Sequence, residues 1–276
     1  LPLLEPHRGL HEDVLHREID GSPKRSLGLT SALLSRARRR DIEVIRGLTD
    51  RPRSAISGNS SYTAARIGEV YGVEAGVLLP SVVSDEFPAE AGLDEPSETH
   101  DIAEPYAVSV GRAGWVKGTW ETVSMLSGSG ISLAHVGGGA GEDLARLTQH
   151  AESCGVGLWV APRLSSPEMA ALMRGARAVV SMAHGEPFGL TPVEAISVGT
   201  PALMVDEGGF RDTVIDGVNG RLLPRDDLGA WHSALEQVAD GGTRTAWAES
   251  GRARIAEMDL SPDTHCRRLE SILGHL

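Results

Sequence analysis

Lysine is almost missing from this sequence of 276 residues: Lys24 and Lys117 are the only two, and every other permanent cation is arginine. Lys117 therefore stands out. Aromatic residues are only 4%, so the core implied by 41% hydrophobic residues is built from Ala, Val, Leu and Ile. Two cysteines, Cys154 and Cys266, lie far apart and match no metal or redox spacing. Free thiols in a reducing cytosol are the expectation, and with them a cytoplasmic location. No apolar run approaches the ~20 residues that span a bilayer, and no signal-peptide pattern opens the chain, which starts on Leu. Excess positive charge is missing too, with a formal net charge of -12. A general nucleic-acid binder needs a cationic surface, so nucleic acid is not an expected partner. There is no Asp-x-Asp pair, no His-Glu-x-x-His and no Gly-x-Ser-x-Gly elbow. No metal is expected.

Glycine is plentiful at 33 residues, which suits the many turns of an α/β protein. An Arg-rich helical stretch around Arg36, Arg38, Arg39 and Arg40 reads either as a solvated face or as peripheral contact with an anionic membrane or acceptor. Residues 60–71 read as a helix capped by Ser60 or Ser61, and 76–80 as a short buried strand. The acidic, proline-bearing stretch 83–104 is the candidate linker. Strands are then expected at 106–111, 131–136, 156–161, 177–182 and 201–205, with a last one near Leu222. Helices are expected at 117–126, 141–153, 166–174, 191–198, 209–215, 226–239 and 244–257, with a final helix from Ser261. Strand alternating with helix predicts a parallel sheet wound on both faces.

Ligands of such sheets bind outside the carboxyl ends of the strands, where helix N-termini point. His184 to Glu194 occupies one such place. Amides of Gly189, Leu190 and Thr191 at a helix start suit a phosphate. Glu186 and Glu194 flank the turn; either is a hydroxyl-binding carboxylate, while Thr191-Pro192-Val193-Glu194 also fits a capping box and Glu186 an exposed loop acid. Gly111-Arg112 and Lys117-Gly118 form a second element. A cation at a helix N-terminus opposes the dipole, so Lys117 predicts a compensating anion. Gly137-Gly138-Gly139 reads as a turn or as a close approach to a ligand.

The run from Ser181 to Pro224, SMAHGEPFGLTPVEAISVGTPALMVDEGGFRDTVIDGVNGRLLP, resembles the family 4 (group 1) retaining glycosyltransferases. Gly111-Arg112 with Lys117-Gly118 matches that family's phosphate-binding bases, and Asn59 to Ala64 with Tyr71-Gly72-Val73 resembles the end of its N-terminal domain. The resemblance implies a GT-B fold of two Rossmann-like doubly wound domains, the N-terminal one incomplete here. Residues 1–97 would hold the C-terminal part of the acceptor-side domain plus linker, 98–260 the nucleotide-sugar domain, and 261–276 a helix returning to the first domain. It further implies metal-independent, retaining transfer from a nucleoside diphosphate sugar, a co-substrate rather than a cofactor, to an unknown acceptor: a glycan, a lipid-linked or a small molecule. Arg112 and Lys117, with Gly189, Leu190 and Thr191, fall to the diphosphate. Glu186, Phe188 and Gly189 fall to the donor sugar, Glu194 to the ribose, and Val160 with Arg163 to the base. Arg112, Lys117 and Glu186 are the expected catalytic groups. Competing readings are a non-catalytic nucleotide-sugar-binding module and a nucleotide-sugar epimerase on the same fold; a phosphorylase is disfavoured by the scarcity of lysine.

Overall fold

The computed structural model describes residues 5–82 and 102–275. Most of the expected linker, 83–104, lies outside them. A one-turn helix α1 (Arg8–His11) leads to the long α2 (Leu27–Thr49), whose N-terminal Ser26 accepts a hydrogen bond from the Leu29 N–H. Strands β1 (Ser57–Gly58) and β2 (Gly76–Val77) pair in parallel and are joined by α3 (Ser61–Tyr71). α3 starts on a capping box in which Ser60 and Thr63 bond reciprocally. Ile45, Ile56, Ile67 and Tyr71 form this unit's small core. The strand expected over 76–80 is shorter than predicted and exposed rather than buried. Leu79 turns to pack on the other body of the molecule, and Pro80 offers no N–H to a ladder.

The larger body holds β3 (Tyr106–Val110), α4 (Thr119–Leu126), β4 (Ser132–Val136), α5 (Gly141–Cys154), β5 (Leu158–Val160) and α6 (Ser166–Gly175). It continues with β6 (Ala178–Ser181), α7 (Leu190–Ser197), β7 (Ala202–Val205), the single turn α8 (Phe210–Thr213) and β8 (Gly220–Leu223). Helices α9 (Leu228–Gln237), α10 (Gly241–Met258) and α11 (Pro262–Gly274) close the chain. The six strands are all parallel, in the order β5-β4-β3-β6-β7-β8. Helices cover both faces, so β4, β6 and β7 are buried along their whole length; β7 is wholly apolar, while β4 carries the buried Ser132 and His135 and β6 ends on Ser181. Leu133, Val179, Leu203 and Trp231 are at the centre of the core.

A seam at Leu79 and Val82 joins the bodies. Phe188, Val193, Met258 and Leu260 pack with Leu79 and Val82. The Val82 N–H donates to Leu260 O at 2.7 Å, and on α11 His265 Nδ1 lies 2.7 Å from Leu79 O. The architecture is GT-B-like: two Rossmann-like α/β bodies, the first of them partial among the described residues. No helix among the described residues is long and apolar enough to cross a membrane.

Candidate active site

The strand order reverses between β3 and β6, and the loops that leave these two strands therefore flank a crevice. The loops touch through their backbones. A Cβ on Gly118 would land on the Met182 carbonyl, and Gly118 has a φ of 60°, so only glycine fits. The His184 N–H donates to Val116 O at 2.9 Å. This contact brings two distant side chains together: Lys117 Nζ donates to Glu186 Oε2 at 2.6 Å. The lysine stem runs back over Gly111, and the ammonium is 34% exposed while the carboxylate is 19% exposed. Such a half-exposed pair adds only about 1 kcal/mol to stability. Its position at the switch point matters more than its strength.

A second network supports the loop. Arg225 donates to both carboxylate oxygens of Glu207 (2.9 and 2.8 Å), to Glu121 Oε1 (3.0 Å) and to Met182 O (2.7 Å). His184 Nε2 lies 2.7 Å from the other oxygen of Glu121, and its ring stacks on Trp115 with centroids 4.4 Å apart. Burial opposes ionisation of Glu207, but the Arg225 hydrogen bonds and charge outweigh it and hold its carboxyl below the usual range. From the other body, Arg8 Nη2 donates to His184 O at 2.6 Å.

The remaining predicted residues fall in several places. Gly189, at φ 88°, is the N-cap of α7, so Leu190 and Thr191 form the first helical turn and their N–H groups have no intrahelical partner. This overturns the capping-box reading of Glu194. Thr191 is the second helical residue rather than the cap, and Glu194 lies beyond the position that could reach back. Pro192 is correspondingly the third helical residue. The Phe188 ring is only 3% exposed within the seam cluster, so its side chain is taken from the donor sugar and its main chain alone can face one. Arg112 is exposed, and among the described residues no hydrogen bond or ion pair holds it. Val160 ends β5, two strands from β3, and Arg163 is exposed in the loop beyond.

Gly137-Gly138-Gly139 is a turn that zips onto the β3 loop: Gly111 N–H donates to Val136 O and Ala113 N–H to Gly138 O, both at 2.8 Å. Buried His135 braces it, with Nε2 3.2 Å from Gly138 O and Nδ1 3.1 Å from Ser109 Oγ. The sequence reading missed Glu121, His184, Glu207 and Arg225 as a group. They come from helix α4 and three separate loops, and the single visible hint was Glu207 directly before Gly208-Gly209. Both cysteines are free. Among the described residues, no group of three or more His, Cys, Asp or Glu converges to hold a metal ion.

A doubly wound sheet with an acid-base pair at its switch point, facing a second α/β unit across a cleft, defines the GT-B class. Residues 94–254 match the model of the glycosyl transferases group 1, and with more than half of its length in that match the chain belongs to this family. It is 33% identical over 189 residues to a D-inositol 3-phosphate glycosyltransferase of Xylanimonas cellulosilytica, a match covering 66% of this chain and 45% of that protein. A protein of the same name from Mycolicibacterium smegmatis is 33% identical over 116 residues, covering 40% of this chain and 27% of its own. The chain thus spans less than half the length of these relatives. Among solved structures it resembles sucrose-phosphate synthase from Thermosynechococcus elongatus, with TM-score 0.71 and 21% identity over 86% of this chain and 61% of that one. It also resembles Alr3699/HepE of Anabaena, solved with UDP and glucose, with TM-score 0.70 and 19% identity over 86% and 67%.

Proposed function

We propose that this chain binds a nucleoside diphosphate sugar at the β3–β6 switch point and serves a retaining, metal-independent glycosyltransferase that passes the sugar to a hydroxyl acceptor. The Lys117–Glu186 pair carries this reading. An ammonium has three N–H donors, and with one on Glu186 two remain for phosphate oxygens. Arg112 adds a planar fork suited to a second phosphate. The first-turn amides near Gly189, Leu190 and Thr191 supply further donors and the positive end of a helix dipole. Together these groups stabilise the charge that builds on the diphosphate as its bond to the anomeric carbon breaks. A leaving phosphate oxygen then takes the acceptor's proton on the same face.

Glu186 accepts from the donor sugar's hydroxyls, beside the main chain of Phe188 and Gly189, and Glu194 takes the ribose. Val160 and Arg163 border the base, roughly 10 Å from β3 at two strand spacings. The glycosyltransferase activity by which the 33%-identical relatives are named supports a sugar donor of this class. Calorimetry with UDP-, GDP-, ADP- and dTDP-sugars tests the reading and names the base. Arg112→Ala is expected to weaken the preferred donor by about 1.5–3 kcal/mol, the scale of a charge-assisted hydrogen bond. Glu194→Ala should weaken the nucleoside diphosphate and leave inorganic diphosphate alone. If no member of the panel binds, the proposal is wrong.

The expected membrane contact we place on α2, where Leu29, Leu33, Arg36 and Arg40 recur on one exposed stripe. Sedimentation with phosphatidylglycerol vesicles, abolished by Leu33→Ser with Arg36→Ser, would support it; a chain left in the supernatant would remove it.

A further inference from the structure

We infer that the acceptor is an uncharged polyhydroxylated molecule, a sugar or cyclitol without a phosphate. This inference rests on the donor reading above and deepens it. A cleft of about 920 Å³ separates the loop at His184 and Gly185 from α1 and α3. Four arginines line it, which at first suggests a site for an anion. Each of them is already committed to a carboxylate.

Arg8 Nε donates to Glu12 at 2.9 Å while its Nη2 holds His184 O. Arg66 bridges Glu12 and Glu69 at 3.0 and 2.7 Å. Arg17 lies 2.5 Å from Asp13, and Arg211 2.6 Å from Asp206. Glu207, the remaining lining acid, is held by Arg225. The lining arginines Arg8, Arg17, Arg66 and Arg211 are thus matched in number by the lining acids Glu12, Asp13, Glu69 and Glu207.

What a ligand meets first favours the same answer. Asp13 and Glu69 are 51% and 63% exposed, whereas Arg8, Arg17 and Arg66 are 9%, 27% and 25% exposed; Arg211, at 57%, is the one lining arginine as open as the acids. Arg211 alone of the lining guanidinium groups is open to an entering phosphate, and it already holds Asp206; to reach Arg8, Arg17 or Arg66 the phosphate would have to displace a carboxylate. Hydroxyl groups need no such displacement. They donate to the open carboxylate lone pairs and accept from guanidinium N–H groups. The Tyr62 hydroxyl adds a neutral partner beside Gly185. An ion-paired wall of this kind suits a neutral polyol and selects against its phosphate ester.

Ligand-observed NMR on the UDP-saturated chain tests this with two matched probe pairs: myo-inositol against D-inositol 3-phosphate, and glucose against glucose 6-phosphate. Each neutral probe is expected to receive saturation transfer, and each phosphorylated one to bind at least about fivefold more weakly, the scale of one exposed charge pair. The double variant Asp13→Asn, Glu69→Gln frees Arg17 and one side of Arg66 at exposed positions. It should gain about fivefold for the phosphorylated probes, and high salt should erase the gain. Tighter binding of the phosphorylated probes by the unaltered chain overturns the inference. So does a double variant that gains nothing, or a chain that binds UDP but none of the four probes. A chain that fails to bind UDP instead removes the donor reading beneath it, which is a separate and visible failure.

Discussion

Residues 106–260 pack around six strands buried on both faces, whereas residues 5–82 keep a four-residue buried cluster beside a long, largely exposed helix. The larger body is cohesive through backbone proximity and apolar packing. The smaller one leans on it through the apolar seam at Leu79 and Val82 and through polar bridges: Arg8 to His184 O at 2.6 Å, Arg146 to Asp20 at 2.6 Å, and the Ser61 N–H to Asp212 at 2.7 Å. The difference assigns tasks. The proposed diphosphate site sits where two loops are in van der Waals contact. The proposed acceptor surface sits where side-chain pairs can be exchanged with little loss of stability.

The sharpest way to break this contrast is to add one methyl group in each body. Gly118→Ala drives a Cβ into the Met182 carbonyl, at a positive φ, so either the strained turn or the loop after β6 must move. A loss of about 3 kcal/mol or more in denaturant unfolding is expected, with donor binding lost as well. Gly72→Ala, at the left-handed end of α3 with φ 66°, meets only the far end of Arg46. It should cost about 1 kcal/mol and leave donor binding intact. Equal losses in the two variants would refute the division.

A smaller effect comes from His135, whose burial holds its pKa below the usual 6.5. The unfolded chain binds a proton near that value and the folded chain does not. Stability is therefore complete above about pH 6.5 and falls with acidification until the folded group also titrates. The thermal midpoint should drop between pH 7 and pH 5.5, and the slope should shrink in His135→Asn. A slope unchanged by that substitution would assign the acid sensitivity to other groups.

Much of the larger body was legible because its buried strands are short apolar runs between glycine-rich turns. The same logic made Lys117 legible. A cation at the start of α4 calls for a nearby anion, and Glu186 fills that role from 69 positions away. Three readings needed coordinates. The Thr191–Glu194 spacing suggested a capping box, but Gly189 takes the cap because its positive φ lets the helix begin one residue sooner. Phe188 sits in a motif of ligand-facing residues, yet its ring is more use to the seam with Leu79 and Met258. The network of Glu121, His184, Glu207 and Arg225 has no sequence period, because it joins a side chain of α4 to three from loops that only the sheet order brings together.

The central claim is that Lys117 and its neighbours grip a diphosphate without a metal. Titration of UDP-glucose, or of whichever donor the panel selects, into the chain in excess EDTA and into Lys117→Ala measures it directly. The account predicts an affinity indifferent to the chelator and weakened by roughly 10- to 100-fold in the variant, the loss of one charged hydrogen bond. Binding that disappears with EDTA, or that ignores the loss of Lys117, would contradict it.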